Sequence, residues 1–127
     1  ADERPMIHNV DPFLLKQALN NILDNAVSAC NGRQGEVVIK LKSTGSNIQI
    51  SVSDNGTGIP EDQIDKVFTP FFSSKPSGTG LGLPLASKII DLHGGHITVE
   101  SKVGVGTTFR IHLPVKIGSE SVTLSHP

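Results

Sequence analysis

Two asparagines, Asn21 and Asn25, lie four residues apart in the segment NNILDNA and would share one face of a helix. An asparagine amide offers a carbonyl oxygen to a hard cation and an N–H group to a phosphate, and it carries no charge that would repel an anion. Polar residues on a helix more commonly form a solvated face, so the pair alone does not decide between the two interpretations. Two other segments of the chain favour the first.

Asp54 begins the segment DNGTGIP at the end of a predicted strand, and Gly56 and Gly58 follow it. An Asn-Gly pair is typical of a hairpin turn, but the residues after this one have the pattern of a helix instead of a second strand. A buried carboxylate beside a glycine-lined gap can accept a hydrogen bond from an exocyclic amine, which would favour adenine over a base with a carbonyl at that position. The segment therefore indicates an adenine pocket.

Three glycines, Gly78, Gly80 and Gly82, precede a predicted helix in the segment GTGLGLP. The first N–H groups of a helix have no partners within it and attract an anion together with the helix dipole, while missing β-carbons let phosphate oxygens approach. A flexible turn is the alternative. The segment is not a dinucleotide fingerprint, because residue 83 is leucine, and it is not a Walker A loop, because no Gly-Lys pair occurs. We therefore predict a phosphate-facing helix start of another kind.

The elements that must position these segments follow from the hydrophobic pattern. A helix should begin after the cap at Asp11 and end near residues 31–32, and a second long helix should bury Leu85, Ile89 and Leu92. The predicted elements in chain order are an edge strand 5–10, the first helix, strands 36–42 and 47–54, a helix over 61–68, a loop, the second long helix 83–93, and strands 96–101 and 106–114. Paired strands with helices between the pairs predict an α/β two-layer sandwich, with a mixed, mostly antiparallel sheet and helices on one face.

Five segments resemble, in order and spacing, the asparagine, phenylalanine and three glycine boxes of sensor histidine kinases. They are NNILDNA, DNGTGIP, VFTPFF, GTGLGLP and GVGTTF. The matching part of those two-component proteins is the catalytic and ATP-binding domain, and the resemblance extends from Asp11 to Pro114. It implies the Bergerat ATP-binding fold, which gyrase, a heat-shock chaperone and mismatch-repair ATPases share. It also implies that the chain binds MgATP and transfers the γ-phosphoryl group to a histidine on a separate dimerisation domain, in two-component signal transduction.

The resemblance implies a role for each matching residue. Asn25 would coordinate the Mg²⁺ that bridges the phosphates, and Asn21 would lie near the same ion or a phosphate oxygen. Asp54 would bind the adenine amino group, and Thr107 would help through a water molecule. The remaining matches would shape the adenine pocket or present backbone to the phosphates: Gly56, Gly58 and Ile59 at the base, and Gly80, Leu81, Gly82 and Leu83 at the phosphates.

The chain departs from the family pattern after the metal-binding asparagine. Many members have a lysine three residues later and an aromatic residue next to it, where this chain has Ser28 and Ala29. Lys75, within the ATP lid expected over residues 70–79, is the candidate replacement cation, and a solvated loop lysine is the alternative. The hydrolytic relatives of the fold carry a glutamate at the position of Asn21, and an asparagine cannot act as that general base. The implied reaction is therefore phosphoryl transfer by alignment and charge neutralisation, with Asn21, Asn25 and Lys75 as the catalytic residues.

Length and composition set the remaining expectations. The 127 residues predict one domain over 1–115, followed by a flexible tail over 116–127. A net charge of −1 and five aromatic residues, all Phe, argue against nucleic acid as a partner. No apolar run is long enough to span a membrane, and we expect no direct membrane contact. The single cysteine, Cys30, favours a packing role and a reducing, cytoplasmic compartment, although the parent kinase could be anchored in a membrane.

The histidines indicate where the phosphoryl group would go. None of His8, His93, His96, His112 and His126 lies on a convincing helix with an acidic residue next to it. We therefore expect the catalytic domain alone, a monomer, whose partners are the dimerisation and histidine phosphoacceptor domain of the same kinase and, indirectly, a response regulator. Two alternatives remain open: a serine protein kinase of the same fold, and a nucleotide-dependent interaction module without catalysis.

Overall fold

A computed structural model describes residues 11–30, 34–72 and 81–114 of the chain. The elements in chain order are α1 (Pro12–Ala29), β1 (Val37–Thr44), β2 (Asn47–Asp54), α2 (Glu61–Ile64), α3 (Gly82–Leu92), β3 (His96–Lys102) and β4 (Gly106–Pro114). The edge strand predicted over 5–10, most of the predicted lid and the predicted tail lie outside the described residues. No helix in the described ranges combines the length and the apolar character that crossing a bilayer requires.

Helix α1 begins where the sequence predicts. The Asp11 carboxylate accepts hydrogen bonds from the backbone N–H groups of Phe13 (3.0 Å) and Leu14 (3.1 Å), and Pro12 occupies the first turn. A side-chain cap of this kind stabilises a helix by about 0.5–2 kcal/mol. The helix ends at Ala29, two residues before the predicted end. Its buried face consists of residues at helical spacing, namely Ala18, Ile22 and Ala26.

The four described strands form one sheet in the order β1-β2-β4-β3, and all three pairings are antiparallel. The helices pack against one face of this sheet, so the predicted two-layer α/β sandwich is confirmed. Alternate residues of β4 point into the helix layer: Phe109 and Ile111 are fully buried there. The ring of Phe109 meets that of Phe68 edge to face, with centroids 6.2 Å apart.

A buried histidine joins the two long helices. His93, which follows α3, accepts a hydrogen bond at Nε2 from the backbone N–H of Asp11 (2.9 Å), and its Nδ1 lies 2.8 Å from the carbonyl oxygen of Ile89. Because Nε2 accepts a hydrogen bond from the backbone, Nδ1 carries the ring proton and donates a hydrogen bond to the carbonyl of Ile89. The end of α3 is thereby joined to the beginning of α1. The two helices run antiparallel, and the start of α3 lies beside the second half of α1.

Two predictions about the helices were wrong in detail. Helix α2 ends at Ile64, and turns follow over residues 65–68, where the sequence predicts helix. In α3 the buried residues are Ala86, Ile89 and Ile90, whereas Leu85 and Leu92 are 41% and 66% exposed. At about 100° per residue, the buried face is rotated by roughly one residue from the predicted one, because packing against α1 selects the small side chain of Ala86.

The outer face of the sheet carries a histidine pair. The rings of His96 on β3 and His112 on β4 are directly opposite in register and stack with centroids 4.4 Å apart. Partial burial, followed by the charges of His96 and Arg110, lowers the pKa of His112 below its ordinary value of 6.5. The neighbouring Arg110 donates to Glu100 at 2.6 Å. These residues lie on the opposite face of the sheet from the helices.

Candidate functional site

The asparagine segment meets the glycine-rich helix start directly. The side-chain nitrogen of Asn21 donates to the backbone carbonyl of Gly82, the first residue of α3, at 3.1 Å. Asn25 lies one turn further along α1 and is half-buried. Because the Asn21 nitrogen donates one of its two hydrogens to Gly82, the amide oxygen and the second N–H group remain to contact a ligand. The first and third predicted segments therefore lie side by side.

The loop after β2 is held between α1 and the β3–β4 turn. The backbone N–H of Thr57 donates to the carbonyl of Ala29, the last residue of α1, at 3.1 Å. The carbonyl of Thr57 accepts from the backbone N–H of Gly104 at 2.9 Å, in the turn between β3 and β4. The two contacts of α1, at Asn21 and at Ala29, are eight residues and therefore about 12 Å apart along its axis. A ligand that extends along α1 over this distance would lie beside both of these contacts.

Close backbone contacts explain the two glycines of this loop. A β-carbon on Gly56 would collide with the carbonyl of Ala29, and one on Gly58 would collide with the carbonyl of Lys102. Gly58 also has φ +82°, a conformation that side-chain-bearing residues rarely adopt. Both glycines are therefore required for the loop to fit between α1 and the hairpin. This fit also gives the loop a fixed position beside Asp54.

Asp54 carries an acceptor that no described residue uses. The side chain is 8% exposed, and its Oδ1 accepts from the backbone N–H of Gly56 at 2.8 Å. Its Oδ2 is buried and has no hydrogen-bond partner within the described parts of the chain. Leaving a buried acceptor unsatisfied costs about 1–3 kcal/mol, and more when the acceptor is charged. A donor group on a ligand, such as an exocyclic amine, would remove this cost.

Thr107 and Ser101 continue the row that Asp54 begins. Asp54 pairs in register with Thr107 of β4, which pairs in turn with Ser101 of β3, so the three side chains share one face at one end of the sheet. Thr107 is 4% exposed, and its hydroxyl lies 2.7 Å from that of Ser101. The Ser101 hydroxyl also accepts from the backbone N–H of Ile59 at 2.7 Å. The three residues line part of an open depression of about 400 Å³ at this end of the sheet, whose lining also includes Glu100 and Thr108.

Sequence reasoning missed Ser101. It follows no glycine and belongs to none of the recognised segments. A signal was present, because pairing the predicted strands 96–101 and 106–114 around a tight turn brings Ser101 opposite Thr107. The contact depends on that register, which the residue types alone leave open.

The other predicted residues are only partly described. Leu81 is 43% exposed, and its carbonyl accepts from the backbone N–H of Leu85 at 3.0 Å, at the N-cap of α3. Leu83 is half-buried and packs on the core. Lys75 and Gly80, with residues 73–79 of the predicted lid, lie outside the described residues. Among the described residues, the structure places Asn21 against Gly82 and the loop that follows Asp54 against the end of α1.

The polar atoms of the candidate site have the chemistry needed to bind adenine and magnesium. The buried Oδ2 of Asp54 fits an amine donor, and the exposed start of α3 fits phosphate oxygens. Within the described ranges, no group of three or more His, Cys, Asp or Glu side chains could hold a metal ion. A cation at Asn21 and Asn25 would thus rely on neutral amide oxygens together with oxygens of the ligand. Mg²⁺ accepts that donor set readily, because it keeps few protein ligands and binds phosphate oxygens.

Comparison with known proteins agrees with this chemistry. Residues 10–117 match the family model described as histidine kinase-, DNA gyrase B- and HSP90-like ATPase. The chain is 45% identical over 107 residues to the sensor histidine kinase ZraS of Escherichia coli, which covers 84% of this chain and 23% of that protein. It is 48% identical over 108 residues to the signal transduction histidine-protein kinase AtoS of Escherichia coli, which covers 84% of this chain and 18% of AtoS. The chain thus spans about a quarter or less of the length of these relatives.

Solved structures of similar proteins have the same fold. The mycobacterial sensor histidine kinase MprB superposes with a TM-score of 0.76 at 30% identity, over 84% of this chain and 75% of that one. The catalytic domain of the histidine kinase ThkA, in a nucleotide-free form, superposes with a TM-score of 0.74 at 36% identity, over 84% of this chain and 69% of that one.

Proposed function

We propose, because this chain belongs to the family of histidine kinase-, DNA gyrase B- and HSP90-like ATPases, that it binds MgATP and transfers the γ-phosphoryl group to a histidine of a separate dimerisation and phosphoacceptor domain. The names of its relatives, which are sensor histidine kinases, support this assignment. The single observation that carries the nucleotide part of the proposal is the buried, unpartnered Oδ2 of Asp54. It supports a hydrogen-bond donor on the ligand and a base bound at this end of the site.

At the base, Asp54 would accept from the adenine amino group. A carboxylate only accepts hydrogen bonds, so a base with a carbonyl at the same position would place two acceptors against each other. Gly56 and Gly58 would shape the pocket by letting the loop pack closely against α1 and the β3–β4 turn, and Ile59 and Thr107 would complete it. The half-buried side chain of Ile59 and the buried side chain of Thr107 support this arrangement.

At the phosphates, the start of α3 would supply backbone N–H groups through Gly80, Leu81, Gly82 and Leu83. Asn25 and Asn21 would hold the magnesium ion, which when bound neutralises charge on the phosphates and fixes their orientation. The hydrogen bond from Asn21 to Gly82 supports this arrangement, because it fixes the α1 amide against the helix start at which the phosphates would bind. Lys75 would add a positive charge from the lid.

The chemistry of Asn21 supports transfer to a protein instead of hydrolysis. An amide is not a base at neutral pH, and the nitrogen of this one already donates to Gly82, so it does not deprotonate a water molecule. What this chain's residues can do is bind and align. Alignment and charge neutralisation are the main requirements of phosphoryl transfer. The nucleophile would then be an incoming histidine, which is a good nucleophile in its neutral form.

The partner would be the dimerisation and phosphoacceptor domain of the same kinase, with a response regulator as the subsequent acceptor. The described histidines support an acceptor outside this chain: His93 is buried with both ring nitrogens in contact with backbone, and His96 and His112 stack on the outer face of the sheet. The isolated chain would be a monomer. We also place it in the cytoplasm, where its single buried Cys30 stays reduced.

The test is a phosphotransfer assay with γ-labelled ATP and the dimerisation and phosphoacceptor domain of the same kinase. We expect label on that domain that is lost in acid and kept in alkali, as phosphohistidine requires. Asn25→Ala should abolish labelling, whereas Asn20→Ala, at an exposed neighbouring position on α1, should not. Label that survives acid and is lost in alkali would indicate a serine kinase. ATP binding without any label would indicate an interaction module and would refute transfer.

A further inference from the structure

The Ser101 hydroxyl makes three polar contacts at the base end of the candidate site. It lies 2.7 Å from the Ile59 backbone nitrogen, 2.7 Å from the Thr107 hydroxyl and 3.0 Å from the Gly106 carbonyl oxygen. Ile59 belongs to the loop after β2, whereas Gly106 and Thr107 belong to β4. A single half-buried side chain on β3 therefore joins the loop after β2 to β4, in the row of residues that begins at Asp54.

The hydrogens of these groups can be counted. A serine hydroxyl has one proton and two lone pairs. The Ile59 N–H group occupies one lone pair, and the Gly106 carbonyl can only accept, so that contact needs the Ser101 proton. When the proton goes to Gly106, the hydroxyl of Thr107 must donate to Ser101. When the proton goes to Thr107 instead, Ser101 no longer donates to Gly106, Thr107 keeps its contact with Ser101 as an acceptor, and the Thr107 proton is available to the pocket.

Only the second arrangement suits an acceptor on the ligand. Beside its amino group, adenine presents a ring nitrogen that accepts hydrogen bonds. If the amino group donates to Asp54, Thr107 can donate to this ring nitrogen, directly or through one water molecule, while Ser101 donates to Thr107. Each proton in the row Ser101, Thr107, adenine then has one acceptor.

We propose that Ser101 is a positioning residue for base recognition: its hydroxyl directs the proton of Thr107 toward the acceptor nitrogen of adenine. This inference rests on the proposed adenine site. Ser101 itself does not touch the nucleotide. It acts through Thr107, so its removal affects the contribution of one atom of the base and leaves the phosphate end of the site unchanged.

The protein contains a matched control. Ser53 on β2 and Thr108 on β4 also pair in register, and their hydroxyls lie 2.8 Å apart. This pair lies on the opposite face of the same sheet, because residues 107 and 108 of one strand point to opposite sides. Ser53→Ala therefore removes the same type of hydroxyl contact from the same sheet without touching the row that begins at Asp54.

The experiment compares the affinities of two ligands, ADP and 1-deaza-ADP, for the unaltered chain and for Ser101→Ala and Ser53→Ala. The second ligand keeps the amino group and has a C–H in place of the acceptor nitrogen. The unaltered chain should bind ADP about fivefold more tightly than 1-deaza-ADP, as expected for one modest hydrogen bond. Ser101→Ala, in which no hydroxyl orients that of Thr107, should reduce this preference, whereas Ser53→Ala and Ser101→Thr, which keeps a hydroxyl, should keep it.

Other outcomes overturn the inference. If Ser101→Ala weakens both ligands by the same factor, the role of Ser101 is only structural. If it changes neither ligand, the hydroxyl has no role in recognition. If Ser101→Ala does not fold, Ser101→Cys replaces it with a weak donor of similar shape and should also reduce the preference. Failure of the unaltered chain to bind ADP at all would refute the proposed function itself, and that result is seen before any variant is made.

Discussion

Replacing Asp54 by asparagine should separate nucleotide binding from folding stability. Oδ1 of Asp54 accepts from the Gly56 N–H group, and an asparagine oxygen can keep that bond. The amide nitrogen would then stand where the buried, unpartnered Oδ2 stands, with its hydrogens toward the adenine amino group. A hydrogen bond to a charged acceptor contributes about 1.5–3 kcal/mol, so its loss should weaken ADP binding by about 10- to 150-fold.

The stability of the free protein should change in the other direction. The side chain is only 8% exposed, and the substitution replaces a buried, unsatisfied charged oxygen by a neutral group. The free energy of unfolding should therefore stay the same or rise, by up to about 1 kcal/mol. Most buried polar substitutions lower stability. A variant that binds far more weakly and unfolds no more easily is thus a specific expectation.

The assay is calorimetric titration with ADP and with IDP, together with urea denaturation of the free protein. IDP presents a carbonyl where ADP presents the amine, so Asp54→Asn should bind IDP as well as or better than ADP. Asp91→Asn, an exposed position on α3, is the control and should behave like the unaltered chain in both measurements. Unchanged ADP affinity in Asp54→Asn would refute the reasoning, because Oδ2 of Asp54 would then contribute nothing to ADP binding.

Three further substitutions test other parts of the molecule. Asn25→Ala should make the Kd for ATP insensitive to Mg²⁺ while circular dichroism shows an intact fold, and Asn20→Ala should keep the Mg²⁺ dependence; a persisting dependence in Asn25→Ala would exclude the metal role. Gly58→Ala should lower the free energy of unfolding in urea by at least about 3 kcal/mol, and Gly45→Ala by about 1 kcal/mol. Both glycines have positive φ, but only a β-carbon at Gly58 would collide with a neighbouring carbonyl. Equal losses in the two variants would contradict this explanation. Because the pKa of His112 in the folded chain lies below 6.5, the unfolded chain binds more protons just below that pH, and the free energy of unfolding should rise with pH up to about 6.5. His112→Gln should flatten this pH dependence in denaturation series from about pH 5 to about pH 8. An unchanged slope in the variant would show that other groups cause the pH dependence.

Local signals in the sequence predicted the start of α1 and the bounds of two strands. Asp11 followed by Pro12 is a start signal that depends only on neighbouring residues, and α1 begins there. The alternation in β2 and β4 likewise depends on local residues, and both strands have the predicted bounds of 47–54 and 106–114. The sandwich follows from the order of these elements. Local chemistry was therefore sufficient for the architecture.

Contacts between distant residues were harder to predict. The buried face of α3 is chosen by its neighbour α1, which selects Ala86 over Leu85, although both fit a helical stripe. Ser101 has a role in the candidate site only through its register with Thr107 and its bond to Ile59, which is 42 residues away in the chain. Such contacts depend on how elements pack, and a pattern within one element does not contain that information.

Asp54 shows which properties of a site residue the sequence predicts and which it does not. The sequence predicts a carboxylate at the end of a strand beside two glycines, and the structure has it there. The sequence does not indicate that one of its oxygens is satisfied by Gly56 and the other by no described residue. That difference arises because the loop directs the backbone N–H of Gly56 to Oδ1. It is what makes the adenine proposal specific to a single atom.

A nuclear magnetic resonance titration of the unaltered chain with Mg·ADP tests the central claim most directly, because it follows each backbone amide separately. The signals of Asn25, Gly56, Gly82 and Thr107, which belong to four different segments, should all shift and should reach half-saturation at one common ADP concentration. Shifts confined to one segment, or different half-saturation concentrations for different segments, would show that these residues do not form one nucleotide site.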